Sequence, residues 1–308
     1  MEYILGIDGG GTKTECVLMD ETGRLLAWGR SGASNPTRTG INRAIGNIQA
    51  AAMDAILNAT AESKETGTGG ATKISRIVAG LAGAGQPEMS EKMRVLLEKA
   101  FPGASVKVCT DLDIALAAAG EGPAVVLVAG TGSAAIGRNG RGEIWRAGGQ
   151  GRFYGDEGSA FDIGRKAVAR AMKEKERQGT DSNLGKKILE QLGYAEWAEV
   201  QKRASAEPDD IFPQVFPIVA GAGDAGDSTA REILVQAAGD LAALVAVVAD
   251  HLGTPREDLR IAKTGGAVGR SVFFDEQVDV ALKRALPHAQ IGGLRMSPAE
   301  AAARAAKD

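Results

Sequence analysis

The chain has 308 residues and a mass of 31.7 kDa, which is long enough for two domains with a core in each. Its 36 lysine and arginine residues against 39 aspartate and glutamate residues give no broad cationic surface, so nucleic acid or an acidic membrane is not an expected partner. Apolar runs such as 242–249 are far shorter than the roughly 20 residues of a membrane span, and residues 1–7 carry no secretory signal, so we expect a cytoplasmic protein.

The chain begins with a predicted buried strand, Tyr3 to Ile7, that runs into a glycine-rich loop at residues 8–14 (Asp-Gly-Gly-Gly-Thr-Lys-Thr). Two more apolar segments, 16–19 and 25–28, predict a β-meander. The loop lacks the glycine that precedes lysine in a Walker A motif, and no helix follows it as in a dinucleotide fingerprint. The loop amides and the Thr12 hydroxyl could still hold phosphate oxygens. A tight turn in a sheet is the alternative.

The middle of the first half alternates helices and strands. The sequence predicts a helix at 42–59, a polar loop at 62–70, a strand at 74–79, a helix at 87–100 and a strand at 106–110.

Asp111 follows the last of these strands and opens a helix, so its carboxylate is predicted to project into a cleft between domains, where it could take a proton from a hydroxyl. The alternative is a helix cap, a place for which Asp113 competes.

The order of strand, loop, strand, turn and strand recurs between residues 125 and 146, around residues 130–133 (Gly-Thr-Gly-Ser). The same number of residues separates Thr12 from Thr131 and Gly23 from Gly142. This register predicts two repeated domains with two opposed phosphate loops across a cleft. A chance match between glycine-rich segments is the alternative.

After the second meander the pattern becomes helical, with predicted helices at 158–177, 184–192, 195–204, 211–222 and 228–252. A strand at 259–263 precedes residues 264–269 (Thr-Gly-Gly-Ala-Val-Gly), which could form a platform for adenosine or a simple strand-to-helix turn. Helices at 271–286 and from Pro298 close the chain.

Five motifs together resemble the sugar kinases of the actin-like ATPase superfamily, and in particular the N-acetylglucosamine kinases of the BadF/BadG/BcrA/BcrD ATPase family. They lie at 8–15, 34–35, 110–111, 130–133 and 155–160 (Gly-Asp-Glu-Gly-Ser-Ala), in the family order and over most of the chain. The resemblance implies an α/β fold with two ribonuclease H-like domains flanking an interdomain nucleotide cleft. The implied domains are residues 1–113, with helix 297–308 packing back on them, and residues 114–296, with helical additions.

The resemblance also implies roles for single residues. Asp111 is the implied catalytic base, and Asp8 is the implied contact to Mg²⁺, through water. The implied sugar ligands are Asn35, Asp111, Gln150 and Asp156. The residues implied to hold ATP are Gly10, Gly11, Thr12, Lys13, Thr14, Gly130, Thr131, Gly132, Ser133, Gly265 and Gly266.

For two of the implied sugar ligands, Asn35 and Gln150, the sequence leaves alternatives. For Asn35, an ordinary Asn-Pro turn is the alternative to a role in sugar binding. Gln150 stands where the related kinases usually have tryptophan, and with Arg152 nearby it leaves the choice among N-acetylglucosamine, glucosamine and an acidic amino sugar open.

The first hypothesis for function is an ATP- and Mg²⁺-dependent kinase that phosphorylates the 6-hydroxyl of N-acetylglucosamine. Alternatives are a glucosamine or other hexose kinase, a sugar-sensing protein without catalysis, and a nucleotide-driven switch acting on a partner protein. The activators among such switches carry a cysteine-bound iron–sulfur cluster, for which Cys16 and Cys109 look poorly placed, since both lie in apolar segments without a CxxC pair. A homodimer is the default oligomeric state.

Overall fold

The computed structural model describes residues 2–66, 73–255 and 259–307. The chain divides into two compact units: unit 1 comprises Met1–Glu121 with Leu294–Asp308, and unit 2 comprises Gly122–Gly293. A boundary after residue 113, as expected from the sequence, would cut through a helix that spans Asp111–Ala118, whereas the units divide after that helix.

The structure has mixed α/β architecture. The strands are β1 (Glu2–Gly9), β2 (Lys13–Asp20), β3 (Leu25–Gly32), β4 (Lys73–Leu81), β5 (Ser105–Cys109), β6 (Ala124–Ala129), β7 (Ser133–Arg138), β8 (Ile144–Gly148), β9 (Arg260–Thr264) and β10 (Gln290–Gly293). The helices are α1 (Pro36–Thr39), α2 (Ile41–Thr66), α3 (Pro87–Ala100), α4 (Asp111–Ala118), α5 (Ala160–Gln178), α6 (Asn183–Leu192), α7 (Trp197–Ala206), α8 (Pro208–Asp224), α9 (Ser228–Leu252), α10 (Val272–Ala285) and α11 (Pro298–Ala305).

Each unit is built on a five-stranded sheet, and the two sheets have the same topology. Unit 1 has the order β3-β2-β1-β4-β5 and unit 2 the order β10-β9-β6-β7-β8. In each sheet the first three strands in chain order form an antiparallel meander, and the remaining two strands are parallel to the first. The internal repeat inferred from the glycine clusters is therefore confirmed.

The first strand of each meander is central and apolar. Ile4, Leu5 and Ile7 of β1 are buried, as are Val125 and Leu127 of β6. A strand that is covered on both faces and pairs on both edges favours such a continuous apolar run over alternation. The ends of these two central strands carry the two glycine-rich loops.

The C-terminal helix α11 packs on the sheet of unit 1. Ala299 and Ala303 share a buried cluster with Ile4 of β1. The approach is so close that a Cβ on Gly6 would lie 2.0 Å from the carbonyl oxygen of Ala299. Glycine at this position thus allows backbone contact between strand and helix.

Helix α9 is long and apolar enough to cross a membrane by length and composition alone, and half of its most apolar window is buried in the protein. It packs against β7, β8 and the neighbouring helices α8 and α10. Buried residues such as Leu234, Leu241 and Val245 recur along one side. In this structure α9 is thus a core helix of unit 2.

At α2, β5 and β10 the structure differs from the sequence prediction. Helix α2 continues to Thr66, so residues 62–66 of the predicted loop 62–70 are helical, and residues 67–70 lie outside the described residues. Strand β5 ends at Cys109, because Thr110 caps the next helix. Strand β10 was not predicted: its sequence, Gln-Ile-Gly-Gly, has too few apolar residues to give a periodic signal.

Candidate functional site

In unit 1 the loop between β1 and β2 is a tight hairpin with an exposed tip. Gly10 N donates to Lys13 O at 2.9 Å, and Gly11, Thr12 and Lys13 are exposed. A Cβ on Gly9 would lie 2.4 Å from Ser34 Oγ, so only glycine allows this approach of the next loop. The geometry leaves the amides and the Thr12 hydroxyl at the tip accessible to a ligand.

The segment that carries Asn35 is hydrogen-bonded to this hairpin. The amides of Ser34 and Asn35 donate to Gly10 O at 3.0 and 3.1 Å. Thr14 Oγ1 lies 2.6 Å from Gly32 O and 2.7 Å from Ser34 Oγ, and the Thr14 side chain is fully buried. The structure gives Thr14 a role in joining these segments and lends no support to its implied contact with ATP.

Asn35 is the N-cap of α1. Its Oδ1 accepts from Thr37 N at 3.0 Å, from Thr37 Oγ1 at 2.7 Å and from Arg38 N at 3.3 Å. The turn that was the alternative for this residue is therefore present. Because Oδ1 is used in the turn, a sugar hydroxyl would meet the Nδ2 donor.

Lys13 of the hairpin belongs to an ionic network. Its Nζ lies 3.0 Å from Glu15 Oε2, and Arg30 Nε lies 2.9 Å from Glu15 Oε1. The Glu15 side chain is almost fully buried, whereas the two cations are exposed. Lys13 thus shares its carboxylate partner with Arg30, and its charge is partly neutralised before any ligand binds.

Asp8 lies half-buried at the end of β1, beside the hairpin. Burial raises its pKa to about 7, and the charges of Asp111 and Glu15 act in the same direction, against Lys13. Nearby carboxylates that repel one another in this way favour a bound cation.

The donors at Asp8 are suited to Mg²⁺. Within residues 2–66, 73–255 and 259–307, no three Asp, Glu, His or Cys side chains form a metal-binding group. Mg²⁺ commonly keeps several waters and takes only one or two protein carboxylates together with substrate phosphates. Asp8 with a nucleotide therefore fits this ion.

Asp111 is the first residue of α4 and does not cap it. Thr110 is the N-cap: its Oγ1 accepts from Asp113 N at 3.2 Å, and the Asp113 carboxylate accepts from Thr110 N at 2.9 Å. This reciprocal pair is a capping box. The cap alternative for Asp111 is thus wrong, and Asp113 is the partner of Thr110 in the box.

The Asp111 carboxyl is half-buried, and burial raises its pKa above the ordinary value. The amides of Leu112 and of Asp111 itself oppose this shift. A carboxylate with a raised pKa is a stronger base near neutral pH. Its proximity to Asp8 brings two of the predicted site residues of unit 1 together.

In the hairpin between β6 and β7 of unit 2, the last residues paired before the turn, Ala129 and Ser133, are one residue closer in sequence than Gly9 and Thr14 in unit 1. Gly130 N donates to Gly132 O at 2.9 Å, and Thr131 lies half-buried at the turn. The turn after β9 lies beside it: Ala267 N donates to Ala129 O at 2.9 Å, and Gly265, at φ +110°, passes so close that a Cβ would lie 2.3 Å from the same oxygen. Two predicted nucleotide-binding turns therefore adjoin within this unit.

The segment at 155–160 is bonded to the same hairpin. Ser133 N donates to Asp156 Oδ1 at 3.1 Å, and Ser133 Oγ donates to Glu157 O at 2.7 Å. Ala160 N donates to Gly130 O at 2.9 Å. The Ser133 side chain is buried in these contacts, so the geometry supports a structural role for its hydroxyl.

Asp156 has a strained backbone. Its φ of +64° is the only positive value at a residue other than glycine among those the structure describes. A left-handed aspartate costs energy and often marks a functional position. The next turn is held by Asp162, which accepts from Gly158 N at 3.0 Å and pairs with Lys166 at 2.7 Å.

Gln150 lies exposed in a loop that follows β8, among glycines with positive φ at 148, 149 and 151. Arg152 forms an ion pair with Asp209 and lies over the Phe153 ring, 4.9 Å from its centroid. Phe153 and Tyr154 are 77% and 85% exposed. Sequence reasoning missed this aromatic pair, and the signal was two adjacent aromatics just before residues 155–160.

Sequence reasoning also missed Arg38 beside the first hairpin. A Cβ on Gly11 would lie 3.5 Å from Arg38 Nη1. The available signal was an arginine three residues after the capping Asn35, which directs the first turn of α1 toward the hairpin.

Known proteins resemble this chain over nearly its whole length. A profile of the BadF/BadG/BcrA/BcrD ATPase family matches residues 5–305. An N-acetyl-D-glucosamine kinase of Dictyostelium discoideum is 30% identical, over 98% of this chain and 97% of that protein. An N-acetylmuramic acid/N-acetylglucosamine kinase of Clostridium acetobutylicum is 29% identical, over 90% and 89%.

Solved structures agree on the fold. A protein of Chromobacterium violaceum superposes with a TM-score of 0.79 at 24% identity, covering 98% of both chains. A ROK family glucokinase from Streptomyces griseus, solved with glucose and AMPPNP, gives a TM-score of 0.62 at 19% identity, covering 99% of this chain and 98% of the other. The two-domain α/β fold implied by the motifs is therefore confirmed.

Proposed function

The chain belongs to the BadF/BadG/BcrA/BcrD ATPase family and is an ATP-dependent amino-sugar kinase, and from this premise we propose that it transfers the γ-phosphoryl group of ATP to the 6-hydroxyl of N-acetylglucosamine. The assignment of the catalytic base depends on the surroundings of the Asp111 carboxyl. Its helix is capped by Thr110, and its half-buried carboxyl has a raised pKa beside Asp8. Such a group is available to accept a proton.

In the proposed step, the 6-hydroxyl oxygen forms a bond to the γ-phosphorus while the bond from that phosphorus to the β–γ bridging oxygen breaks. ADP leaves, and the hydroxyl proton passes to the Asp111 carboxylate. Phosphoryl transfer needs little covalent chemistry from the protein, so catalysis consists mostly of positioning and electrostatic stabilisation.

Each hairpin would offer its amides and a threonine hydroxyl, Thr12 in unit 1 and Thr131 in unit 2, to phosphate oxygens. Both hydroxyls lie at turns of a backbone whose free amides suit anionic oxygens. Gly265 and Gly266 would contact the adenosine. Bound Mg²⁺, held by Asp8 through water, would supply positive charge against the phosphates.

The sugar ligands in this proposal are Asn35, through Nδ2, together with Asp111, Gln150 and Asp156. An acidic amino sugar is disfavoured, because the nearby cation Arg152 is already paired with Asp209. A neutral amide such as Gln150 can bond to hydroxyl or acetamido groups. N-acetylglucosamine is therefore the first choice of substrate.

The burial of the two cysteines disfavours a nucleotide-driven switch that carries an iron–sulfur cluster. Cys16 is fully buried, and Cys109 is half-buried with a pKa raised to about 11, first by burial. A cluster shared between subunits must be held by thiols that reach the surface. The chain has two cysteines, and the fully buried Cys16 does not meet this condition.

We further propose that the protein works in the cytoplasm, where ATP is available, as its apolar helix α9 belongs to the core of unit 2. A homodimer stays a prediction.

The proposal is tested by incubating the enzyme and Mg-ATP with N-acetylglucosamine, glucosamine, glucose and N-acetylmuramic acid separately. The phosphorylated carbon is then identified by NMR. We expect turnover with N-acetylglucosamine and a phosphate on carbon 6. Transfer to another hydroxyl or sugar would correct the regiochemistry or the substrate. Transfer to none of the four, with ATP still hydrolysed, would favour a nucleotide-driven switch.

A further inference from the structure

The turn of the second hairpin, residues 130–132, has its carbonyl oxygens engaged by amides of unit 2. The bonds run from Ala160 N to Gly130 O at 2.9 Å, from Phe161 N to Thr131 O at 3.3 Å and from Gly130 N to Gly132 O at 2.9 Å. Because carbonyl oxygens repel phosphate oxygens, a turn that binds phosphate must offer amides instead. Among the residues that the structure describes, the amides of Thr131 and Gly132 donate to no protein group. These two amides are the donors that a phosphate could take.

Asp156 lies against the same turn. It is 6% exposed, and its Oδ1 accepts from Ser133 N at 3.1 Å. A Cβ on Gly132 would lie 2.6 Å from Oδ1, 3.0 Å from Cγ and 3.1 Å from Oδ2, so the whole carboxylate lies close to the backbone there. Glycine at position 132 makes room for this carboxylate. The turn is thus held by the start of α5 at residues 130 and 131 and by Asp156 at residues 132 and 133.

The strained backbone of Asp156 accompanies this contact. The residue has a φ of +64°, and its own carbonyl oxygen accepts from Ser159 N at 3.1 Å. Left-handed conformations at residues other than glycine cost energy and persist where the surrounding structure fixes them. Glycine would adopt this φ without strain, but it has no side chain that could accept from Ser133 N. The acceptor is therefore what aspartate adds at this position.

We propose that Asp156 is a positioning residue for the phosphates of ATP. Its Oδ1 holds Ser133 N and so fixes the turn in the conformation in which the amides of Thr131 and Gly132 can donate to phosphate oxygens. This role rests on the proposed function, in which the second hairpin holds phosphate, and it adds to the proposed contact between Asp156 and the sugar. The carboxylate acts on the nucleotide through the hairpin and does not itself touch the phosphates.

The test measures binding of AMP-PNP, and of adenosine, which has no phosphate, by titration calorimetry on the full chain in the presence of Mg²⁺. Asp156→Gly removes the acceptor and relieves the backbone strain, so it should weaken AMP-PNP binding by about tenfold. Asp156→Asn keeps an oxygen acceptor and tolerates a left-handed backbone, so it should recover the affinity for AMP-PNP to within about threefold of the unmodified protein. Adenosine binding should differ by less than about twofold between the unmodified protein and either variant.

The matched control is Asp162→Ala, which removes another buried carboxylate near the start of α5. Asp162 accepts from Gly158 N at 3.0 Å, outside the hairpin. The control should lower the temperature of thermal unfolding and bind AMP-PNP as the unmodified protein does. It thus separates a loss of stability from a loss of hairpin geometry.

Three results would overturn the inference. The first is an unchanged affinity for AMP-PNP in Asp156→Gly, and the second is an equal loss for AMP-PNP and adenosine, or in Asp162→Ala. The third is a loss in Asp156→Asn as large as in Asp156→Gly, because the oxygen acceptor would then not matter.

The readout needs no sugar, so the two proposals fail separately. Normal AMP-PNP affinity in Asp156→Gly, with a raised KM for N-acetylglucosamine, would refute the positioning role and keep Asp156 as a sugar ligand. The expected losses of AMP-PNP affinity, in a protein that phosphorylates none of the sugars tested, would leave Asp156 at the hairpin and refute the acceptor.

Discussion

The two hairpins occupy the same place in two sheets of the same topology, yet a strand pair beside the turn is acidic in the first and apolar in the second. In unit 1 the second strand pair before the turn is Asp8 with Glu15; in unit 2 it is Val128 with Ala134. Both hairpins offer amides and a threonine hydroxyl, at Thr12 and Thr131. The strands of the first hairpin themselves carry carboxylates, Asp8 and Glu15, whereas the carboxylate at the second hairpin, that of Asp156, comes from the segment at 155–160 and accepts from Ser133 N.

The comparison shows which contacts to ATP the repeated backbone could make in both units and which depend on side chains found in one unit. The backbone of a glycine-rich hairpin suits phosphate oxygens in either unit. A base and a contact to Mg²⁺ need carboxylates, and in this account Asp8 and Asp111 of unit 1 provide both. In the same proposal, unit 2 would contribute contacts to phosphate, adenosine and sugar, and no proton acceptor for the reaction.

Removal of Mg²⁺ should have the largest effect, because the carboxylates of the first hairpin lose their counter-charge. We expect EDTA to lower turnover by about a thousandfold, which corresponds to several kcal/mol of charge stabilisation, and excess Mg²⁺ to restore it. Asp8→Asn should raise the Mg²⁺ concentration for half-maximal turnover by about tenfold, the effect of losing one charged contact.

Asp113→Asn is the matched control, since Asp113 is an acidic residue of unit 1 that serves the helix cap. It should titrate with Mg²⁺ as the unmodified enzyme does. An Asp8→Asn enzyme with an unchanged Mg²⁺ titration would place the metal contact elsewhere.

Within each hairpin, the two hydroxyl residues should separate into a ligand contact and a structural contact. Thr14→Val leaves Gly32 O and Ser34 Oγ without a buried partner, so we expect a loss of about 1–3 kcal/mol in the free energy of unfolding. Thr12→Ala should leave that free energy unchanged and raise the KM for ATP by about fivefold. Urea unfolding and steady-state kinetics measure the two effects.

The same comparison of a buried and a turn hydroxyl can be made at the second hairpin. Ser133→Ala should destabilise unit 2, because its hydroxyl donates to Glu157 O at 2.7 Å, whereas Thr131→Ala should weaken ATP binding. Reversed effects, with Thr14 or Ser133 setting the affinity for ATP, would show that the buried hydroxyls contact the nucleotide.

The smallest expected effect is a pH dependence confined to unit 2. Burial favours a higher pKa for Asp162, but hydrogen bonds from Lys166, from the Gly158 amide and from Arg165 outweigh it and hold the pKa below its ordinary value. The resulting stability is present above the unfolded pKa of about 4 and is lost as pH falls through the lower folded pKa. In Asp162→Asn, the free energy of unfolding should therefore fall less between about pH 4 and pH 2 than in the unmodified protein, as measured by urea unfolding. The same pH dependence of the free energy of unfolding in both proteins would show that Asp162 does not stabilise unit 2 in this way.

The sequence predicted the repeat well, because buried strands and glycine turns leave periodic and compositional signals. Asp8 lies in the last residues of β1 before the turn and Asp111 follows β5, and the charge of Asp111 raises the pKa of Asp8, as expected for neighbours, while their roles stay predictions. The short strand β10 was missed, because a pairing that is made by neighbouring strands needs few apolar residues of its own.

The sequence could not distinguish hydroxyls that meet a ligand from those that fold the hairpin. Thr12 and Thr14 look alike in a motif, and only the pairing of Gly9 with Thr14 fixes which side chain turns inward. Arg38 was missed for a similar reason: its approach to Gly11 depends on the capping turn at Asn35, which joins residues distant in sequence.

The most direct test of the central claim is a single-turnover measurement of phosphoryl transfer from Mg-ATP to N-acetylglucosamine, with unmodified enzyme and with Asp111→Asn at saturating ATP. The amide keeps the shape of the side chain and cannot take the proton, so we expect transfer to slow by about 10²- to 10⁴-fold, with the affinity for AMP-PNP unchanged. Transfer by Asp111→Asn at the unmodified rate would contradict the assignment of the base, and with it the claim that the chemistry resides in unit 1.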